Sequence, residues 1–247
     1  MLGQFRFAEN VDAIGAAFRT QRIATEKWRK GDDDRMDNYV ITIARGYGSG
    51  GKQIALKLAE HLGIECYEHR ILTLASEYSN IDGEKLLEND ERLEGSLLQN
   101  RLQRVASELG LHPITKKFTS RQEIYDIQKK MIEKLADEQS CIIVGKCADY
   151  ILEGRANVVR LYIEAPREFC RGRIMRRQSV SAEKADQLIT STDRYRADYY
   201  KFYTGGKEWT NPTNYDLVIN SSRMSFEEIV ELISSMLRIR GLLPKED

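Results

Sequence analysis

Short apolar segments alternate with longer amphipathic segments along most of this chain. Five of the short segments have the length and apolar character of β-strands. They lie at residues 40–43, 64–67, 141–144, 158–163 and 217–219. Helical patterns follow them, and this alternation favours a parallel sheet built through right-handed crossovers. The pattern predicts an α/β fold, with a parallel β-sheet flanked by helices on both faces and ligands at the carboxyl ends of the strands.

The helical segments carry end signals. Apolar residues recur at helical spacing over residues 54–62, and Gly63 predicts the end of that helix. Ser225 and Glu228 form a predicted capping box for a closing helix that runs to Gly241.

The rest of the chain divides into two parts. Residues 71–136 are mostly helical in pattern, with a break at residues 110–120. Residues 1–37 show helical periodicity and end in a charged run, which predicts an N-terminal helical extension and linker ahead of a main domain at residues 38–247. Three interpretations of the extension stay open: packing on the core, contact with a partner, or an upstream start codon.

Composition narrows the class of protein. A chain of 247 residues, 41% hydrophobic and 31% charged, is long enough for a globular domain with a full core. Its 38 Lys and Arg balance its 38 Asp and Glu, so net charge gives no reason to expect a nucleic-acid or membrane partner. Because no segment resembles a membrane span or a signal peptide, we expect a cytoplasmic protein.

Cysteine and histidine spacing argues against a metal centre. Three of the four cysteines flank apolar strands, so we expect free thiols at Cys66, Cys141, Cys147 and Cys170. The three histidines share no metal-ligand spacing with one another or with these cysteines, so a structural zinc site is not expected.

Residues 40–62 carry the clearest functional signal, a strand followed by a glycine-rich turn and a helix. Four glycines occur within six residues there. They permit positive φ angles and bring consecutive N–H groups toward an anion at a helix N-terminus. A tight turn without a ligand is the alternative, but it needs fewer glycines. The predicted nucleotide-binding residues are Gly46, Gly48, Ser49, Gly50, Gly51, Lys52 and Gln53.

Two alignments of this loop are open. Residues 46–52 satisfy G-x-x-x-x-G-K, but Gln53 stands where the motif has Ser or Thr to hold magnesium. Alignment with a loop of the GSGKGTVA type instead puts Gly51 at the lysine position and Lys52 one residue later. Magnesium coordination is therefore in doubt, with water or Ser49 as substitutes for the missing hydroxyl.

Three stretches resemble the cytidylate kinase-like family of P-loop nucleoside monophosphate kinases: VITIARGYGSGGKQIA, CIIVGKCADYIL and DRYRADYYKFYTGGKEW. The resemblance covers residues 38 to about 240. It implies that ATP phosphates lie on the glycine loop, that an arginine-rich helical lid closes over them, and that a second pocket holds the acceptor. The implied reaction moves the γ-phosphoryl group of ATP to CMP or a similar monophosphate.

Arginines suit this chemistry, because phosphoryl transfer depends on positioning and on cations around charged oxygens. Four arginines at residues 171–177 resemble the lid, with a solvated basic helix face as the alternative. Asp193 and Arg196 resemble the D-x-x-R element of nucleotide kinases, with a simple i, i+3 salt bridge as the alternative. The predicted catalytic residues, none of them an obligatory general base, are Lys52, Arg173, Arg177 and Arg196.

The acceptor site is predicted from the same resemblance. Lys146 stands where the family usually has arginine, and it keeps the charge without the forked guanidinium. Arg121 and Gln128 resemble residues that line the acceptor pocket, and Asp149 is either a hydrogen-bond acceptor for base or ribose or a surface carboxylate. The predicted acceptor-binding residues are Arg121, Lys146, Asp149 and Asp193.

Two late features have competing interpretations. An aromatic cluster stacks on a base or packs a helix against the sheet, and core packing is favoured because aromatic side chains first supply buried area. Its members are Tyr199, Tyr200, Tyr203, Trp209 and Tyr215. Asn220 begins a segment that resembles the loop facing adenine, so it is a candidate cofactor-binding residue, although a plain turn is the alternative.

We therefore predict an ATP-dependent, Mg²⁺-requiring nucleoside monophosphate kinase that acts on CMP or dCMP, with small-molecule nucleotides as its partners. One alternative keeps the fold and changes the acceptor to another small metabolite. Another is a non-catalytic nucleotide-binding or regulatory protein, and a third is an interaction protein with a purely structural loop. A homo-oligomer stays open.

Overall fold

Five parallel strands form one sheet in the order β2-β3-β1-β4-β5. The structure, a computed structural model, describes residues 38–68, 104–105, 107–109 and 121–244. The strands are β1 (Val40–Arg45), β2 (Glu65–Tyr67), β3 (Cys141–Val144), β4 (Val158–Glu164) and β5 (Leu217–Asn220). All five predicted strands are thereby confirmed.

Helices connect and follow the strands. Those within the described residues are α1 (Gly51–Leu62), α2 (Arg121–Glu138), α3 (Ala148–Ile151), α4 (Arg167–Gln178), α5 (Ala182–Tyr203) and α6 (Phe226–Ile239). The predicted extension at residues 1–37 and most of the predicted helical stretch ahead of α2 lie outside the described residues.

Alternating side chains on the strands face two different helix layers. Val40 belongs to a buried cluster with Met131 of α2, whereas its neighbour Ile41 belongs to a cluster with Ile54 of α1 and Ile229 of α6. Successive side chains of a strand point to opposite faces of the sheet, so both faces are buried under helices. The predicted α/β fold with helices on both faces is confirmed.

The aromatic cluster is part of the core. Tyr200, Trp209 and Tyr215 are buried together with Tyr162 of β4 and Ala44 of β1. The prediction that these rings pack a helix against the sheet is therefore confirmed for the buried members. The prediction of free thiols is also confirmed, because all four cysteines are unpaired. Among the described helices, none combines the length and apolarity needed to cross a bilayer.

The carboxyl ends of β1, β3 and β4 meet at one edge of the sheet, because these strands are parallel and adjacent. The glycine-rich loop leaves β1 there, the turn that contains Lys146 leaves β3, and α4 follows β4. The topology thus assembles the candidate site from three chain segments that are distant in sequence.

The capping box at the start of α6 generates a stability prediction. The Ser225 hydroxyl accepts a hydrogen bond from the Glu228 backbone N–H, and the Glu228 carboxylate accepts one from the Ser225 backbone N–H. We expect Ser225→Ala to lower the free energy of unfolding by about 1 kcal/mol in urea denaturation, because one helix N–H loses its acceptor. Ser235→Ala, within the same helix, is the control, and equal losses in the two variants would contradict the capping role.

Candidate active site

The loop between β1 and α1 has the backbone form of an anion cradle. Gly48 and Gly50 take φ angles of 88° and 90°, which side chains other than glycine rarely tolerate. The Gly46 N–H bonds back to the Ile163 carbonyl of β4, and α1 begins at Gly51 without a side-chain cap. The N-terminal N–H groups of α1 are therefore directed to the loop, where negative charge is favoured.

Two of the loop glycines are required by close neighbours from β4 and α4. A β-carbon at Gly46 would overlap the carboxylate of Glu164. At Gly48 it would lie 2.9 Å from Cys170 Cβ and 2.9 Å from Ile174 Cδ1. Real β-carbons essentially never approach other atoms this closely, so the loop is held tightly against both elements.

The other two glycines contact cationic side chains. A β-carbon at Gly50 would lie 3.1 Å from Arg173 Nη2 and 3.0 Å from the Phe226 ring. One at Gly51 would lie 2.6 Å from Arg45 Cβ. The absent side chains thus give room to the cations that surround the loop.

A cavity of about 720 Å³ opens over this loop, a size typical of small-molecule sites. Its cationic lining residues are Arg45, Lys52, Lys146, Arg173, Arg176, Arg177 and Arg196. Glu68 is the one carboxylate among the described residues that line it. So uneven a balance of charge favours a polyanionic ligand.

The first turn of α1 supplies both a cation and an amide. Lys52 Nζ lies 2.9 Å from a carboxylate oxygen of Glu68. In the orientation that satisfies its amide, Gln53 donates to the Gly50 carbonyl and accepts a hydrogen bond from Arg177 Nη1 at 2.8 Å. Gln53 thus connects the glycine loop to α4.

The Ser49 hydroxyl makes a hydrogen bond within the glycine loop. Its side chain is fully buried, and its hydroxyl donates to the Gly46 carbonyl at 2.9 Å. Ser49 is not one of the residues lining the cavity. The idea that its hydroxyl replaces the missing magnesium ligand is therefore wrong for this geometry.

Arg173 is the most distinctive of the arginines in α4. Its guanidinium lies 4.9 Å from the centre of the Phe226 ring and 5.8 Å from that of Phe169. Its Nε is buried without a hydrogen-bond partner, and burial lowers the pKa of the guanidinium. A desolvated cation with an unsatisfied N–H is prepared for an anion. The alternative of a solvated basic face is wrong for Arg173, while closure of α4 over a ligand stays a prediction.

Asp193 and Arg196 attach α5 to the glycine loop. The predicted salt bridge exists, with Arg196 Nη1 3.3 Å from the Asp193 carboxylate. That carboxylate also accepts the Tyr47 backbone N–H at 2.8 Å, and Arg196 donates to the Arg45 carbonyl at 2.9 Å. The pair is therefore more than a local helix contact, although Asp193 itself is not one of the lining residues.

Lys146 lies in a turn of three successive residues in the left-handed region. Gly145, Lys146 and Cys147 have φ angles of 78°, 61° and 56°, and such backbone strain is concentrated at functional sites. Burial lowers the pKa of Lys146 to about 7, and the nearby charges of Arg45 and Arg196 act in the same direction. An incoming anion would raise this pKa and favour the ammonium form.

Two other predicted acceptor residues, Asp149 and Gln128, are not among the residues that line the cavity. Asp149 is buried and accepts a hydrogen bond from the Tyr200 hydroxyl at 2.7 Å, so the surface-carboxylate alternative is wrong. Gln128 is also buried and accepts from the Tyr199 hydroxyl. Arg121 begins α2, but its side chain is not among the described parts of the structure.

Asn220 ends β5 in a turn. Its side-chain oxygen accepts hydrogen bonds from the backbone N–H and the hydroxyl of Ser222, which is the plain-turn alternative. It is exposed and does not line the cavity. A role toward adenine stays a prediction.

The sequence did not single out several lining residues. Arg45 and Glu68 end or follow strands, Tyr47 lies within the glycine loop, and Tyr195 lies inside the D-x-x-R element. Arg45 and Glu68 had a detectable signal, since charged residues at the carboxyl ends of buried parallel strands point to a site.

Nucleotide phosphates fit this site better than a resident metal does. The glycine cradle, the unsatisfied Arg173 Nε and the excess of cations all suit phosphate oxygens. In the part of the chain that is described, no three acidic, His or Cys side chains converge as metal ligands. The described residues therefore offer no cluster of this kind for a resident metal ion.

The pKa of Lys146 generates a prediction about stability. Between about pH 7 and pH 10 the unfolded chain holds the Lys146 proton and the folded chain releases it, so stability rises with pH across that window. We expect Lys146→Met to stabilise the protein more at about pH 6 than at about pH 9, because it removes a buried charge. Denaturation at both pH values measures this difference. Lys146→Arg stays charged and should show no such relief, and an equal effect of Lys146→Met at both pH values would refute the lowered pKa.

Three similar proteins align with more than four fifths of this chain. The cytidylate kinase of Methanopyrus kandleri is 26% identical over 223 residues, which cover 84% of this chain and 96% of that protein. The cytidylate kinase of Pyrococcus horikoshii is 23% identical over 202 residues, which cover 81% and 89%. An uncharacterized protein from Eubacterium ventriosum of known crystal structure shares the fold, with a TM-score of 0.59 and 23% identity over 81% of this chain and 99% of that one.

The match to a family is broader than any single motif. The description "Cytidylate kinase-like family" fits residues 40–223, which include the glycine loop, the Lys146 turn, α4 and the D-x-x-R element. The predicted resemblance is confirmed. The chain belongs to the cytidylate kinase-like family and is a nucleoside monophosphate kinase-like phosphotransferase.

Proposed function

We propose that this protein transfers the γ-phosphoryl group of ATP, bound as its magnesium complex, to a nucleoside monophosphate, with CMP or dCMP as the preferred acceptor. The observation that carries the proposal is the cavity over the glycine loop, lined by seven cationic side chains and one described carboxylate. Phosphoryl transfer needs cations positioned around charged oxygens and needs no covalent nucleophile. This cavity supplies that environment.

The donor phosphates are proposed to bind at the loop. The N–H groups at the start of α1 and the Lys52 ammonium favour negative charge there, and Arg173 lies against Gly50. Arg177 is linked to the glycine loop through its hydrogen bond to Gln53, which bonds in turn to the Gly50 carbonyl. As charge builds on the transferred group, these fixed cations stabilise it without reorganising.

The acceptor phosphate is proposed to bind near Lys146. The Lys146 ammonium and the Arg196 guanidinium both line the cavity, at the ends of β3 and in α5. Because Arg196 is anchored to the Arg45 carbonyl beside the glycine loop, it can contact donor and acceptor phosphates together. CMP is the leading acceptor because the relatives from Methanopyrus and Pyrococcus are named cytidylate kinases.

Magnesium is proposed to arrive with the nucleotide. Gln53 stands in place of the Ser or Thr that usually offers a hydroxyl to magnesium. Its amide is already hydrogen-bonded to the Gly50 carbonyl and to Arg177. Phosphate oxygens and water would hold the ion, which suits a cation that keeps much of its water in proteins. The same observation favours a second candidate function, nucleotide binding without transfer, since Gln53 offers no hydroxyl ligand and the described residues show no cluster of metal ligands.

A coupled phosphotransfer assay with ATP and magnesium tests the proposal. We expect turnover with CMP and dCMP to exceed that with UMP and AMP, and Arg173→Gln to lower kcat by at least about tenfold, because a desolvated cation facing the transferred charge is lost. Arg194→Gln is the matched control: Arg194 is an arginine of α5 that is 83% exposed, 3.8 Å from Asp198.

Three results separate the alternatives. Turnover with a different small acceptor would keep the enzyme and replace CMP. ATP binding without turnover on any acceptor would establish the binding protein. Equal losses in the Arg173 and Arg194 variants would show that the role of Arg173 is wrong.

A further inference from the structure

We propose that Arg45 takes the place of the phosphate-loop lysine and binds the β- and γ-phosphates of the donor nucleotide. The inference rests on the proposed function, since it assigns a residue to the donor phosphates of that site. It explains how a loop with glycine at the usual lysine position retains a cation there.

The stem of Arg45 fills the space beside Gly51. A β-carbon on Gly51 would lie 2.6 Å from Arg45 Cβ and 3.0 Å from Arg45 Cγ. A lysine at position 51 and Arg45 in its present conformation therefore exclude each other. In the alignment that places Gly51 at the lysine position, the cation comes from Arg45 at the end of β1. It does not come from the first turn of α1, where the lysine usually stands.

The guanidinium of Arg45 reaches the floor of the cavity. Its Nη1 lies against Gly145, where an added β-carbon would overlap it, and its side chain is only 14% exposed. Gly145 precedes Lys146, whose pKa is lowered partly by Arg45. Arg45 thus lies between the glycine loop and the proposed acceptor site, where the phosphates of donor and acceptor would meet.

The backbone of Arg45 is also fixed. Its carbonyl accepts a hydrogen bond from Arg196 Nη1 at 2.9 Å, and its strand pairs with β4 through Ile163. A preorganised arginine loses little entropy when it binds phosphate, and its fork offers two parallel hydrogen bonds.

A negatively charged group already lies near this guanidinium. A Glu68 carboxylate oxygen is 3.7 Å from Arg45 Nη2, and another is 2.9 Å from Lys52 Nζ. Anionic oxygens are therefore accommodated next to both cations. A phosphate would bring stronger charge and more acceptor oxygens than this carboxylate.

Lys52 leaves α1 in a different direction from a side chain at position 51, although its ammonium still reaches Glu68 beside Arg45. Successive residues of an α-helix differ in direction by about 100°. Lys52, one residue after Gly51, therefore leaves the helix on another side. In the second alignment, Arg45 rather than Lys52 stands in the place of the lysine that reaches the β- and γ-phosphates in P-loop proteins.

Calorimetric titration of the full chain with ATP, ADP and AMP tests the assignment. We expect Arg45→Gln to weaken ATP and ADP binding by about tenfold or more and AMP binding by less than about twofold, because a charge-assisted contact to the outer phosphates is lost. Arg155→Gln is the control. Arg155 pairs with Asp137 and precedes β4, so it lies near the amino ends of the strands, away from the cavity at their carboxyl ends. Arg45→Lys should retain most of the preference for ATP over AMP.

A pair of variants provides an independent readout. We expect Gly51→Lys alone to weaken ATP binding, because the new side chain collides with Arg45. Combining it with Arg45→Gly, which also removes the β-carbon 2.6 Å away, should restore ATP binding toward that of the unmodified protein. Such rescue would show as a coupling between the two positions.

The outcomes distinguish the two proposals. If the unmodified chain binds neither ATP nor ADP, the proposed function fails and the assignment of Arg45 fails with it. If the unmodified chain binds ATP but Arg45→Gln weakens ATP and AMP equally or neither, the assignment is overturned and the proposed function stands. A structural role alone would lower all three affinities together, so the ratio of ATP to AMP affinity decides.

Discussion

The absence of β-carbons in the glycine loop is the constraint on which the site depends. Each of the four glycines lies against a group from a different part of the fold: Glu164 of β4, Cys170 of α4, Phe226 of α6 and Arg45 of β1. These groups contact the loop directly, so the loop is packed against the ends of two strands and against two helices. At Gly48 and Gly51 an added β-carbon would lie within 3.0 Å of the β-carbon of Cys170 or Arg45, so the neighbouring element would have to move.

Like charges around the cavity are the cost of this arrangement. Burial, together with the nearby charges of Arg45 and Arg196, lowers the pKa of Lys146, and burial lowers the pKa values of Arg173 and Arg196. The described contacts relieve this cost in part through Glu68 and Asp193. The remaining positive charge lowers the stability of the folded chain, and a bound polyanion would compensate it. Such losses of stability are common at functional sites.

Local sequence signals predicted the elements well. The strands, the stop at Gly63 and the capping box at Ser225 depend on neighbouring residues, so each is visible in a short window. The family motifs also singled out Lys52, Arg173 and Arg196, and all three line the cavity. The end of a buried strand marks Arg45 as a candidate in the sequence, but its position beside Gly51 depends on how the strand and the helix pack. The sequence left open whether Asp149 lies at the surface, because its burial depends on contacts with the distant Tyr200 of α5.

The mutual exclusion of Arg45 and a side chain at position 51 shapes how such a site can evolve. A chain with this arginine gains no working lysine by one substitution, because the new side chain meets an occupied space. A chain that first loses the arginine passes through an intermediate with neither cation. With the role proposed for Arg45, an exchange of one way of holding phosphate for the other therefore takes two substitutions, at positions 45 and 51.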